Sequence, residues 1–209
     1  MIAIVDYGMG NIHSVQKALE SLGEKTLVAH KPEDIKKCQK VVLPGVGAFD
    51  DAMLELNKKN LIPALLGHIK NKKIFLGICL GMQLLFKKSQ EASKTSGLGI
   101  LIGEVKRFDE KMNIKVPHMG WNQLKKVTSH KSQVTSECPL LKDIPCGSYV
   151  YFCHSYYPDP KNLGIVSATT DYGMDFASVV WKDNIYGVQF HPEKSQQTGL
   201  KILENFIQL

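Results

Sequence analysis

The sequence predicts an α/β fold: a central, mostly parallel sheet flanked by helices, with antiparallel strands added in the second half. Three observations carry this. Short apolar runs alternate with amphipathic stretches through the first half of the chain. Strand-like runs separated by turn residues dominate the second half. Finally, 209 residues, 44% of them hydrophobic, suffice for one core without staples, because a domain near this length hides roughly 70% of the surface its unfolded chain exposes. A single domain over residues 1–209 is the simplest organisation.

The elements follow in order. Residues 2–6, apolar up to Asp6, read as a strand, and residues 8–11 as a turn with Asn11 a candidate N-cap. Ile12, Val15, Ala18, Leu19 and Leu22 then recur at helical spacing, and Gly23 closes the helix. Residues 26–29 and 41–43 are short β-branched runs. Two helical stretches lie between residues 48 and 70, the second with Pro63 near its start. Residues 74–78 form a buried strand, followed by a helix from about 81 to 88. Beyond it, strands are expected at 100–108, 123–127, 148–157, 165–170, 177–181 and 185–190. Asp171-Tyr172-Gly173 and Lys182-Asp183-Asn184 supply turn chemistry between strands. A last helix over 197–207 puts Leu200, Leu203, Phe206 and Ile207 on one face.

Composition excludes several classes. The net charge of +6 is spread along the chain, with lysines in pairs such as Lys36-Lys37 and Lys87-Lys88; this is a solvated surface, unlike the clustered basic face of a nucleic-acid binder. The strongly apolar stretch over 74–86 is broken by Gly77, Gly81 and Gln83 and is too short to span a bilayer. The first residues lack the basic region of a secretory signal. The five cysteines are odd in number, with no C-x-x-C pair and no zinc spacing. A reduced, cytoplasmic chain without a structural metal is expected.

Gly77-Ile78-Cys79-Leu80-Gly81 is the most informative stretch. A buried strand runs in and a helical pattern runs out, the geometry of a nucleophile elbow with Cys in place of Ser. The flanking glycines allow close backbone packing. A helix N-terminus beside Cys79 favours a thiolate. A cysteine nucleophile needs a base and a group that orients the base. Gln189-Phe190-His191-Pro192-Glu193 offers both: His191 stands at a strand tip, and Glu193, two residues on in extended chain, points the same way and can hold one imidazole nitrogen. His154 is the rival base; it lies in a Tyr-rich strand with no nearby carboxylate in sequence, and receives a binding or packing role. Pro44-Gly45-Val46-Gly47 follows a strand and lacks both dinucleotide and P-loop signatures, so backbone donors for an oxyanion are its functional reading. Cys38, Cys138, Cys146 and Cys153 lack such context. Met119 and Trp121, beside Pro117 and Gly120, make an apolar contact patch or a buried hairpin.

Together these stretches resemble class I (triad) glutamine amidotransferases, from residue 2 to the C-terminus. Asp6-Tyr7-Gly8-Met9-Gly10-Asn11, Pro117-His118-Met119-Gly120-Trp121-Asn122 and Tyr151-Phe152-Cys153-His154-Ser155-Tyr156-Tyr157 narrow the similarity to the glutaminase subunits of imidazole glycerol phosphate synthases, in histidine biosynthesis. The resemblance implies that Cys79 attacks the side-chain amide of glutamine, that His191 moves protons and that Glu193 orients it. It implies an oxyanion hole from Leu80 and the Gly45, Val46 and Gly47 backbone, and glutamine binding by Gln83, His154, Ser155 and Tyr156. It implies delivery of ammonia to a separate (β/α)8-barrel cyclase subunit, which makes imidazole glycerol phosphate and an aminoimidazole carboxamide ribotide, and a partner interface including Asn11, His118, Met119, Trp121 and Asn122. Cys153 stands where the family more often has an aliphatic residue, a difference expected to touch packing only. Three other readings fit the residues: the same glutaminase feeding a sugar-modifying synthase of a surface-polysaccharide pathway, a stand-alone cysteine hydrolase, and a binding subunit that keeps the fold.

Overall fold

A computed structural model describes residues 1–127 and 137–209. The first half runs β1 (Ile2–Val5), α1 (Ile12–Ser21), β2 (Thr26–Ala29), α2 (Pro32–Lys37), β3 (Lys40–Gly45), α3 (Phe49–Lys58), α4 (Ile62–Lys70), β4 (Ile74–Cys79), α5 (Leu80–Gln83) and β5 (Phe86–Ser89). The second half runs β6 (Leu101–Arg107), β7 (His118–Gln123), β8 (Lys125–Lys126), β9 (Tyr149–His154), β10 (Tyr156–Pro160), β11 (Val166–Asp171), β12 (Asp175–Lys182), β13 (Ile185–Val188) and α6 (Gln196–Gln208).

The main sheet has eight strands in the order β2-β1-β3-β4-β13-β12-β11-β8. Pairing is parallel from β2 across to β13 and antiparallel from there to β8, as the sequence predicts. The parallel strands are covered on both faces, and β1 shows how. Its side chains alternate, so Ala3 and Val5 join a core with Ile35, Phe49, Leu56 and Leu65 from α2, α3 and α4. Ile2 and Ile4 join the opposite core with Val15 and Leu19 of α1 and Ile202, Leu203 and Phe206 of α6. Among the described residues, no helix is long and apolar enough to cross a membrane.

Four local expectations are corrected. The helix expected over 81–88 stops after one turn, and Phe86–Ser89 is a strand paired with β6. The carbonyls that would propagate the helix are claimed from elsewhere: Leu98 N–H donates to Leu84 O at 2.8 Å, and Ile100 and Leu101 N–H donate to Leu85 O at 2.9 and 3.0 Å. The helical reading of residues 81–88 is overridden by these tertiary partners. Helix α2 was not anticipated, although Pro32 at its start, Glu33 and Asp34 in its first turn and Lys36 and Lys37 in its last are ordinary helix signals. The strand expected over 123–127 is only β8; Gln123 instead ends β7, which pairs with β9 in a separate two-stranded ribbon. The strand expected over 148–157 breaks at Ser155, and its halves enter different sheets.

What matters for function is the register at the sheet centre. Gly45 pairs with Cys79 across β3 and β4, and Val188 pairs with Ile78 across β13 and β4. The loops leaving three adjacent parallel strands therefore meet at one carboxyl edge, where such sheets place ligands. The other end of this alignment is fixed by Asn184, which is buried. Its Nδ2 donates to Ile69 O at 3.1 Å and Lys73 O at 2.6 Å, and its own carbonyl accepts from Phe75 N–H at 2.9 Å. Replacing Asn184 with Ala removes both side-chain bonds, each worth about 1 kcal/mol net, although Ile69 O keeps the Lys72 N–H at 3.0 Å. Urea unfolding of Asn184→Ala is expected to show a loss of roughly 2 kcal/mol.

Candidate active site

Cys79 ends β4 with φ +53° and ψ −112°, a backbone conformation that a non-glycine residue adopts only under constraint. The constraint is crowding. A Cβ on Gly77 would stand 2.6 Å from Gly81 O, and one on Gly81 would stand 1.8 Å from Leu43 O. The chain turns straight from β4 into α5, so the sequence expectation of a sharp elbow holds. The expected help from a helix dipole is reduced, because α5 is a single turn; what remains is the free N–H groups of that turn.

Three groups face the Cys79 sulfur. The His191 imidazole faces it and interacts with it electrostatically. Gln189 Nε2 donates to Sγ at 3.7 Å, and Cys153 O lies at 3.9 Å, positioned to accept from the thiol. Cys153 therefore does more than pack: it lines the cavity beside Cys79.

His191 stands in extended conformation at the head of the turn Pro192–Lys194. Its N–H donates to Tyr151 O at 2.9 Å, and Ser195 braces the same turn from within, its hydroxyl donating to His191 O at 2.6 Å and accepting from Tyr151 N–H at 2.9 Å. His191 Nδ1 meets Glu193 Oε1 at 2.9 Å, with the two side chains 4% and 1% exposed. Burial opposes the imidazolium, but the interactions with Cys79 and Glu193 outweigh it and raise the His191 pKa to about 10. The second carboxylate oxygen, Glu193 Oε2, is buried without a partner.

His154 has no nitrogen to spare. Nδ1 faces Tyr156 O at 2.9 Å and Nε2 faces His118 Nδ1 at 3.1 Å. Burial pushes its pKa down to about 3, so it is a neutral structural group.

A cavity of about 290 Å³ opens onto Cys79 and His191. Val46, Gly47 and Leu80 form one wall, and Gln83, His154, Ser155 and Tyr156 another. Gly45 lies behind the wall: the Tyr7 hydroxyl occupies the space its Cβ would need, at 2.6 Å, and donates to Pro44 O at 3.1 Å. Gly47 has φ +95°, the left-handed region that favours glycine.

The cavity also has two charged residues that sequence reasoning missed, Glu91 and Lys194. Burial raises the Glu91 carboxyl, while the Phe49 N–H at 2.9 Å from Oε2 works the other way. The loop bearing Glu91 is tied down by Asp50, which accepts from the N–H groups of Ser93, Lys94 and Thr95 and from the Thr95 hydroxyl. These bonds hold the Asp50 carboxyl well below the usual carboxylate range. Lys194 rests 5.8 Å from the centre of the Tyr151 ring. A loop glutamate brought in by a distant clamp leaves no local pattern; Lys194, directly after Glu193, could have been found by asking what else the turn presents.

The ribbon of β7 and β9 borders the cavity. Met119 faces Cys153 and Trp121 faces Tyr151 across it. Met119 is 62% exposed, Trp121 46% and Tyr149 54%. The alternate residues point inward. His118 is buried, and Asn122 is half-buried with Nδ2 donating to Asp171 O at 2.8 Å. Asn11 is half-buried at the start of α1 and gives it no side-chain cap.

The family description "Glutamine amidotransferase class-I" matches residues 3–209. The chain belongs to this family. Among curated relatives of the amidotransferase, the imidazole glycerol phosphate synthase subunit HisH of Geobacter metallireducens is 48% identical over 98% of this chain and 96% of its own. The subunit of the same name from Syntrophotalea carbinolica is 46% identical over 99% of this chain and 98% of its own. The amidotransferase fold is shared with solved structures of low identity. A crystal structure titled glutamine amidotransferase aligns with TM-score 0.73 at 17% identity, covering 100% of this chain and 98% of the other. The structure of PurLQS from Thermotoga maritima gives 0.74 at 16% identity, covering 99% and 97%.

The raised His191 pKa carries a stability signature. The folded chain holds a proton that an unfolded histidine, at 6.5, releases. The stabilisation is therefore complete below about pH 6.5 and is lost as pH rises toward about 10. Glu193→Gln weakens the imidazolium and narrows that window. The gap in unfolding free energy between the natural chain and Glu193→Gln is expected to shrink between pH 7 and 10, followed by urea titrations at each pH; a constant gap would show that His191 is not charged in the fold.

Proposed function

We propose that this amidotransferase is the glutaminase subunit of an imidazole glycerol phosphate synthase, hydrolysing L-glutamine through Cys79, His191 and Glu193 and passing the ammonia to a (β/α)8-barrel cyclase partner. The observation that carries the reading is the strained Cys79 elbow joined to a buried His191–Glu193 pair in a cavity lined for an amino acid. Near-full-length similarity to HisH subunits supports the choice of acceptor pathway.

The chemistry follows from the positions. The Cys79 sulfur attacks the side-chain amide carbon of glutamine. The developing oxyanion is met by the Leu80 N–H, free because it opens α5, and by the Val46–Gly47 backbone. The His191 imidazolium gives its proton to the departing nitrogen, which leaves as ammonia, and Glu193 Oε1 holds the ring through Nδ1. Water, deprotonated by His191, then cleaves the thioester and releases glutamate. The Gln83 amide nitrogen is spent on Tyr156 O and Gln189 Oε1, leaving its Oε1 as an acceptor for the substrate ammonium. Glu91 supplies the counter-charge, and the Ser155–Tyr156 backbone holds the carboxylate end. The exposed face of Met119, Trp121 and Tyr149, beside the cavity mouth, is the docking surface for the partner.

Two outcomes test this. Glutamate production is expected to be slow for the chain alone and to rise at least about a hundredfold with cyclase partner and acceptor ribotide, the size of effect that one aligned oxyanion donor has. Cys79→Ala abolishes it while ammonia-dependent synthesis by the partner persists. Equal rates with and without partner would favour a free-standing hydrolase. Separately, Glu91→Gln is expected to raise the KM for glutamine roughly tenfold with kcat little changed, the loss of one charge-assisted contact made equally in ground and transition states.

A further inference from the structure

The carbonyl of Tyr156 can only accept hydrogen bonds, and two side chains donate to it: Gln83 Nε2 at 2.9 Å and His154 Nδ1 at 2.9 Å. That fixes the polarity of everything attached. On the histidine arm, His154 carries its proton on Nδ1, so Nε2 accepts from His118 Nδ1 at 3.1 Å, and His118 Nε2 accepts from Asn122 Nδ2 at 3.3 Å. On the glutamine arm, Gln83 turns its nitrogen to Tyr156 and offers its second N–H to Gln189 Oε1 at 3.1 Å. Gln189 then has one group left to aim at the Cys79 sulfur, its Nε2, at 3.7 Å.

We propose that Gln189 is a further catalytic residue, donating an amide N–H to the Cys79 sulfur to hold it as a thiolate aimed at substrate, and that Gln83 is the positioning residue that keeps the Gln189 amide from turning over. The proposal rests on Cys79 being the nucleophile. If Gln189 turned over, its nitrogen would confront the Gln83 nitrogen and its oxygen would confront the sulfur. No water relieves such a mismatch, because Gln189 is fully buried between Val188 and Phe190, with its backbone N–H fixed on Ser178 O at 2.9 Å. A buried amide in an apolar run is costly unless its polar atoms are matched, and here the sulfur is the match. The donor also answers the Cys153 carbonyl at 3.9 Å, which favours the neutral thiol. Gln189 donates to the sulfur from the sheet side, while the His191 imidazole acts on it electrostatically. A thiolate accepts the amide N–H, and charge-assisted bonds of this kind are the stronger ones.

The test is the rate at which iodoacetamide alkylates Cys79 in the full chain at fixed pH, read by peptide mass spectrometry with exposed Cys146 as internal reference. Gln189→Leu is expected to slow Cys79 by at least about threefold, a loss of thiolate partly offset by the greater nucleophilicity of a more basic sulfur. Gln189→Met, which keeps the length and removes the donor, slows it likewise, and Cys146 is unchanged in both. Should the position-189 variants not fold, Gln83→Glu reads the same device with Gln189 intact: a carboxylate draws the Gln189 N–H to itself, turns Oε1 to the sulfur, and slows Cys79. Natural-rate alkylation of Cys79 in the folded variants overturns the proposal. A Cys79 no more reactive than Cys146 in the natural chain would instead sink the nucleophile assignment beneath it.

Discussion

At the exit of β4 two backbones pass so closely that no side chain fits between them. Leu43 O lies where a Gly81 Cβ would be, and Gly77 meets the Gly81 carbonyl in the same way. This contact forces the turn at Cys79, and the turn forces the left-handed backbone there. Because β4 sits between β3 and β13 in the sheet, the same contact decides where Cys79 stands relative to the 44–47 segment and to His191. The site is assembled by strand register, and its loops need only short excursions from three fixed points.

Burial then sets the electrostatics. Glu193 is withdrawn from water with one oxygen unpaired, a cost that the imidazolium beside it offsets only while His191 keeps its proton. His118 and His154, equally buried but without a carboxylate, go the opposite way, to about 4 and about 3. The three histidines thus divide by neighbour: the one beside a carboxylate and a thiol is basic, and the two beside each other are neutral spacers.

What could be read from the sequence was what is local. Cys79 between its glycines carries its geometry in its spacing, whereas His191 and Glu193 meet through a 3-10 turn over Pro192–Lys194 and not through the extended chain expected. The parallel half of the sheet announces itself through continuous apolar runs such as residues 2–5. Elements governed by distant partners were opaque. Residues 81–88 read as a helix, and it is the amides of residues 97–101 that take the carbonyls of Leu84, Leu85 and Lys87 and leave 86–89 as a strand. Glu91 reaches the cavity because Asp50, more than forty residues away, holds its loop. Gln189 sits inside the same motif as His191, yet nothing in the motif says which atom its amide turns to sulfur; that follows from a carbonyl thirty-three residues earlier.

The ribbon of β7 and β9 uses the period of a strand to keep two kinds of contact apart. Odd positions carry Met119 and Trp121 outward, and even positions carry His118 and Asn122 inward. The inner row is bound by donor order and tolerates no exchange without reversing a chain of protons. The outer row is exposed, with Trp121 resting edge-on against Tyr151 of the neighbouring strand. One face can therefore be repainted while the other stays as it is: changing an outward side chain leaves the inner order of donors and acceptors untouched.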